Sequence, residues 1–108
     1  MVAAGMAGPL QRTAPARPRL FRVRGESMSP TLRPGDVVWL SRRAACAGDV
    51  IVVDHPRFGV IVKRLGDDGR LSGDGADSTD ADRLGRLTDC ALIGVARLAV
   101  TPRGVFRL

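Results

Sequence analysis

The residue of this sequence that points most directly to chemistry is Lys63, the only lysine among 17 basic side chains. All the other basic residues are arginines. A buried ammonium can lose its proton near neutral pH, whereas a guanidinium cannot. Lys63 is therefore a candidate general base. Its candidate nucleophile is Ser27, because a serine beside a neutral lysine can replace the Ser-His-Asp arrangement.

The local sequence around each residue indicates how it is positioned. Ser27 follows a predicted strand over residues 20–24, which Gly25 ends, so its hydroxyl is expected on a surface turn. Lys63 lies in an apolar predicted strand, where alternation places it on the same face as Ile61. Desolvation on that face lowers the pKa of a lysine and makes it a usable base. Spacing alone leaves open a surface serine and a strand-end lysine that both face water.

Short β runs separated by turn signals predict an all-β fold, a small coiled barrel or sandwich of mostly antiparallel strands. The predicted strands are residues 20–24, 37–40, 50–53, 60–65, 70–72, 91–100 and 105–108. Pro30 is expected to start a short helix, residues 66–69 form a hairpin turn, and residues 73–84 are a polar, acidic loop. With no tyrosine, one tryptophan and three phenylalanines, aliphatic side chains must fill the core.

Composition and charge divide the chain into two parts. Residues 1–19 are rich in Ala, Pro, Arg and Gly without periodicity, and we expect a flexible basic arm before one domain over residues 20–108. The excess charge of +6 lies in residues 1–43, which contain eight arginines and two acids. A basic arm attracts nucleic acid or an anionic membrane. However, a solvated tail has the same composition, and sparse aromatics disfavour base stacking, so nucleic acid is not the expected partner.

Several other kinds of protein and site are disfavoured by the sequence. No stretch approaches the about 18 apolar residues of a membrane span, and arginines and prolines interrupt any signal-peptide core. Cys46, Cys90 and His55 match no zinc spacing, and the acidic residues lack the EF-hand pattern, so no metal or cofactor is expected. Asp54 and His55 suggest a conventional triad, but the single histidine precedes a proline in a loop. We expect a cytoplasmic protein with reduced thiols.

Four motifs occur in an order that resembles the Ser-Lys peptidases, the superfamily of bacterial type I signal peptidases and self-cleaving SOS-response repressors. They are Gly25-x-Ser27-Met28-x-Pro30-Thr31-Leu32, Pro34-Gly35-Asp36, Gly48-Asp49-Val50 and Val62-Lys63-Arg64. The resemblance covers about residues 20–100 and implies a signal-peptidase-like catalytic core. Within the signal-peptidase branch, the chain is most similar to the small maturation proteases of nickel-type superoxide dismutase. Three features carry that similarity: His55-Pro56, the Val-Lys-Arg motif, and Asp77-Ser78-Thr79-Asp80.

The resemblance also implies roles for individual residues. Ser27 corresponds to the nucleophile and Lys63 to the general base, and Ser78 falls at the position whose hydroxyl orients the lysine. Asp80 follows in the same loop, and Met28 lines the floor of the active site. The backbone N–H of Ser27 corresponds to a donor to the oxyanion.

The chain departs from the family pattern at several positions. Gly75 stands where the family commonly has asparagine, in a loop that looks one residue shorter. Ala81 and Asp82 replace the usual Ser-Arg pair, with Arg83 one place later. Gly25 occupies the position at which some signal peptidases carry a second oxyanion-binding hydroxyl. The departures in this loop bear on whether the enzyme is fully active.

The function expected from these residues is a serine endopeptidase that removes an N-terminal propeptide or leader. Its protein substrate lies extended along an edge strand, and the closer resemblance implies the extension of a nickel superoxide dismutase. Two other hypotheses stay open. One is a repressor-like domain that cuts only itself, and the other is an inactive, basic nucleic-acid-binding module.

Overall fold

Strands make up nearly all the regular structure in the computed structural model, which describes residues 19–75 and 81–108. The strands are β1 (Arg19–Arg22), β2 (Val37–Ser41), β3 (Val50–His55), β4 (Gly59–Leu65), β5 (Leu71–Ser72), β6 (Ala91–Thr101) and β7 (Gly104–Arg107). One short helix, α1 (Ala81–Leu84), and one 3-10 turn (Leu87–Asp89) lie between β5 and β6. The all-β prediction is therefore confirmed.

All the strands belong to one antiparallel sheet whose order differs from the chain order. The path runs β1-β2-β6-β3-β4-β5, and β7 pairs with β6 away from that path. The long strand β6 pairs with β2 along one side; its first half pairs with β3 and its last residues with β7. Because β6 joins both halves of the sheet, it holds β1 and β4 on a common framework.

The core is aliphatic, as expected, and lies on both faces of β3. Val50 and Val52 belong to one buried cluster, whereas Ile51 and Val53 belong to a second. The first cluster also contains Val23, Met28, Leu32, Val38, Leu40, Val62, Ala96 and Ala99. The second also contains Leu65, Leu71, Leu84 and Val95. Strand β4 contributes to both, so its alternate side chains face different parts of the interior.

The structure differs from the sequence-based expectation in two segments. The helix expected from Pro30 is absent; residues 26–32 form a turn in which the Ser29–Pro30 peptide bond is cis. Within the turn, Ser29 N–H donates to Glu26 O at 3.0 Å and Leu32 N–H to Met28 O at 2.9 Å. The acidic loop is shorter than expected, since α1 already begins at residue 81.

The predicted arm, residues 1–19, lies outside the described residues except for Arg19, with which β1 begins. The boundary between arm and domain thus stays a prediction. In the described ranges, no helix has the length and apolar content required to cross a bilayer.

Candidate active site

Ser27 lies on the turn that follows β1, and its surroundings hold the turn firmly. The next residue, Met28, is buried in the first core cluster, and so is Leu32 at the end of the turn. Ser27 itself is half-buried. Within the described residues, its hydroxyl and its backbone N–H make no hydrogen bond. The N–H that the resemblance assigns to the oxyanion thus has no partner in this part of the chain.

Lys63 lies on β4, where it pairs with Ile51 of β3. Only 4% of its surface is exposed. Burial lowers the pKa of Lys63, because the interior disfavours its charged form. No carboxylate among the described residues forms an ion pair with it, so none of them opposes the loss of its proton. Lys63 is thus buried, as the alternation of the strand predicts.

Ser27 and Lys63 line the same pocket, a cavity of about 290 Å³. Five of the lining residues are apolar: Phe21 comes from β1, Phe58 from the β3–β4 turn, and Val60, Ile61 and Val62 from β4. Among the described residues, Arg24 is the other charged residue in the lining. The pocket therefore holds a hydroxyl and a desolvated amine, the two kinds of group that a serine nucleophile with a lysine base uses.

Two strands border this pocket with open edges. In the described part of the chain, β1 pairs only with β2. Strand β5 pairs with Arg64 and Leu65 of β4, which leaves residues 59–63 of β4 with a partner on one side only. Unpaired backbone N–H and C=O groups can bind an extended peptide as an added strand.

Asp74 connects the turn of Ser27 to the strand of Lys63. Its carboxylate accepts hydrogen bonds from Arg64, at 2.6 Å and 3.2 Å, and from the Thr31 hydroxyl at 2.7 Å. Arg64 directly follows Lys63, and Thr31 lies on the turn of Ser27. The hydrogen bond from Arg64 is the main cause that lowers the pKa of Asp74. Sequence reasoning missed this bridge, although Arg64 stands in a motif that carries the resemblance.

Gly75 explains one departure from the family pattern. Its N–H donates to Ser27 O at 2.7 Å. A Cβ at position 75 would lie 2.7 Å from Glu26 O and 3.3 Å from Ser27 O. The loop therefore approaches the backbone of the serine turn so closely that a side chain has no space there.

His55 has a structural role in a different place. It is buried, its Nδ1 accepts hydrogen bonds from the N–H groups of Arg57 and Phe58, and its Nε2 lies 2.8 Å from Leu84 O. Because Nδ1 accepts hydrogen bonds, Nε2 carries the ring proton, and its N–H donates a hydrogen bond to Leu84 O. Both ring nitrogens are thus occupied, and His55 does not line the Ser27 pocket. The structure offers no conventional triad at Asp54 and His55.

The other predicted site residues lie as follows. Met28 is buried behind the turn and is absent from the pocket lining. Gly25 is exposed, with a φ of 73° and no atom within 4 Å of a Cβ built on it. Ser78 and Asp80 lie outside the described residues. Across residues 19–75 and 81–108, no three His, Cys, Asp or Glu side chains are grouped as metal ligands.

Comparison with known proteins identifies the family of this chain. Residues 6–72 match the Peptidase S24-like family. The match spans more than half of the chain and includes both Ser27 and Lys63. Comparisons with curated proteins and with solved structures found no match. By the extent of the family match, this chain belongs to the Peptidase S24-like family and so to the Ser-Lys peptidase superfamily.

Proposed function

We propose that this protein is a serine endopeptidase in which Ser27 is the nucleophile and Lys63 is the general base. The observation that carries the proposal is the shared pocket of a half-buried serine and a lysine whose amine is desolvated. Arginine could not replace Lys63 in this role, because a guanidinium stays protonated.

The mechanism follows from the state of the amine. The neutral Lys63 amine accepts the Ser27 proton as Oγ attacks the scissile carbonyl, and the Ser27 N–H donates to the developing oxyanion. The Lys63 ammonium then protonates the leaving amine. Neutral again, Lys63 deprotonates the water that hydrolyses the acyl-enzyme, and the proton returns to Ser27 Oγ. In this proposal Ser78 orients the lysine amine, as its position in the family motif implies.

The substrate in this proposal is the N-terminal propeptide or leader of another protein. The open edges of β1 and β4 on either side of the pocket support binding of such a segment in extended form. The more specific proposal is the N-terminal extension of a nickel superoxide dismutase, whose removal exposes the nickel-binding segment. It is supported by the motif similarity alone.

Trimming of a nickel superoxide dismutase precursor, followed by intact mass, tests both levels of the proposal. The wild type is expected to shorten the precursor, and Ser27→Ala to abolish this. Ser29→Ala is the matched control, because the Ser29 hydroxyl bonds Glu26 Oε1 at 2.9 Å and is absent from the pocket lining. Trimming that persists in Ser27→Ala contradicts the dyad. An untouched precursor alongside cleavage of other peptides contradicts only the substrate.

Self-cleavage is the second candidate, and the family match favours it, because self-cleaving repressors belong to the same superfamily. Ala4-Gly5 and Ala7-Gly8 in the N-terminal region offer bonds of the kind those repressors cut. Incubating the chain alone at alkaline pH distinguishes the candidates: self-cleavage shortens this chain at a rate independent of its concentration. An unchanged mass beside cleavage of an added peptide supports action on another protein.

A further inference from the structure

A groove continues from the Ser27–Lys63 pocket along the edge of β1. A second cavity, of about 250 Å³, is lined by Leu20, Phe21, Arg22, Arg24 and Val60. It shares Phe21, Arg24 and Val60 with the first cavity. The two cavities therefore adjoin each other between β1 and β4, and we name them together the arginine groove.

Within residues 19–75 and 83–108, no acidic side chain pairs with the arginines of the arginine groove. Arg22 and Arg24 are exposed, and neither forms a hydrogen bond or ion pair through its side chain with the rest of the described chain. None of the described residues that line either cavity is acidic. The nearest acid in sequence, Glu26, instead accepts a hydrogen bond from Ser29. The groove therefore presents a positive potential beside the proposed scissile bond.

We propose that the arginine groove selects extended peptide segments that carry acidic side chains, which rests on the proposed peptidase function and names its substrate class. Arg24 lines both cavities, so the acidic residue that it binds lies close to the bond that Ser27 attacks. Arg22 is two residues away along the chain, about 7 Å at a rise of about 3.4 Å per residue. A second acidic residue two positions from the first is thus also recognised, while Phe21 and Val60 contact the single residue between them.

The first part of the test measures peptide binding alone, with a variant that lacks the proposed nucleophile. Ser27→Ala protein is immobilised and incubated with a random decapeptide library, acetylated and amidated so that side chains are its only source of charge. The bound peptides are sequenced by mass spectrometry. We expect Asp and Glu to be enriched about fivefold over the input at positions two apart, and the enrichment to decline as salt rises. Ser27→Ala/Arg24→Glu is expected to prefer Lys and Arg instead.

The control variant is Ser27→Ala/Arg97→Glu, which reverses an exposed charge on β6 outside the groove lining and should keep the acidic preference. Equal retention of acidic and neutral peptides, no retention at all, or a preference that Arg24→Glu leaves intact would overturn the inference.

A parallel incubation of the wild type with the same library reports cleavage, which separates the inference from the proposed function. Cleavage without acidic selection overturns the inference and leaves the peptidase standing. Arg24-dependent acidic selection without cleavage supports the groove and overturns the peptidase.

Discussion

Arg64 and Asp74 form a two-point ion pair, with the guanidinium donating to both carboxylate oxygens at 2.6 Å and 3.2 Å. The pair lies one residue from Lys63, and the same carboxylate accepts the Thr31 hydroxyl from the turn of Ser27. The Asp74 side chain thus links the strand of the proposed base to the turn of the proposed nucleophile.

Asp74→Asn is expected to lower the free energy of unfolding by about 2 kcal/mol at pH 7, because charge-assisted hydrogen bonds are lost in a partly buried site. Peptide cleavage should fall by more than the unfolded fraction explains. Urea unfolding and a peptide assay on the same samples measure both effects. Asp67→Asn is the control, since Asp67 is exposed and has no ion pair within the described residues. Equal losses in the two variants would remove the positioning role of Asp74.

Acid should erase the difference between the wild type and Asp74→Asn. The pKa of Asp74 is lowered in the folded protein, chiefly by the hydrogen bond from Arg64. Its contribution to stability is therefore full above the unfolded-state pKa of about 3.9 and is lost as pH falls through the lower folded-state pKa. Unfolding curves between pH 7 and pH 2 should converge at the acid end. A difference in unfolding free energy between the two proteins that stays constant down to pH 2 would show that the lost stability is not electrostatic.

Lys63 should titrate below the ordinary lysine pKa of about 10.4, because burial disfavours its ammonium. Labelling lysine side chains with ¹³C gives one resonance set, since the chain has one lysine. The lowered pKa should shift again in Ser27→Ala if the hydroxyl and the amine interact. A Lys63 pKa of about 10.4 that is the same in Ser27→Ala would mean that the amine is exposed. The protein would then be an inactive relative of the peptidases or a binding module.

The same burial makes Lys63 a cost to stability. Because the folded state binds its proton more weakly than the unfolded state, stability should rise with pH between the folded pKa and about 10.4. Lys63→Met, which keeps the length of the side chain, should be more stable than the wild type at pH 7 and lack this rise, while all cleavage is lost. Lys63→Arg should be inactive as well, and it should also be less stable. Denaturant unfolding at several pH values measures these stabilities. A Lys63→Met protein that is less stable than the wild type at pH 7 would contradict the cost assigned to the buried amine.

Much of this fold is readable from sequence, and the reason is local. Branched residues at 50–53 and 60–62, with turn residues between them, indicate β3 and β4 whatever the rest of the chain does. Alternation along β4 likewise predicts that Ile61 and Lys63 share a face. The position of β6 between β2 and β3 could not be predicted, because pairing order depends on contacts between distant segments.

In the site, too, local features could be predicted from sequence, whereas contacts between distant segments could not. Ser27 and Lys63 are recognisable from residue type and motif, but their shared pocket depends on how the sheet brings β1 towards β4. The bridge through Asp74 requires a loop from beyond β5 to reach both. Gly75 can be noticed as a departure from a motif, whereas the reason for it, a loop lying against Glu26 O, is visible only in three dimensions.

Gly75→Asn, which would restore the residue common in the family, should damage this protein. The new Cβ would meet Glu26 O at 2.7 Å, and that obstacle is backbone that cannot rotate away. We expect a loss of about 2 kcal/mol in stability and a larger loss of cleavage, because the turn of Ser27 must shift. Gly25→Ala on the same turn has free space but a φ of 73°, so it should cost only about 1 kcal/mol. Wild-type activity in Gly75→Asn would show that the turn tolerates the displacement.

His55→Ala should disturb the Ser27 pocket, although His55 does not line it. The imidazole accepts the N–H groups of Arg57 and Phe58 and donates to Leu84 O, and its ring lies 4.8 Å from that of Phe58. Because Phe58 lines the Ser27 pocket, losing three hydrogen bonds should cost about 3 kcal/mol of stability and raise KM more than it lowers kcat. Asp54→Asn, an exposed change one residue away, should alter neither quantity. If His55→Ala lowered kcat alone, with KM and stability unchanged, the imidazole would belong to the chemistry and its structural role would be wrong.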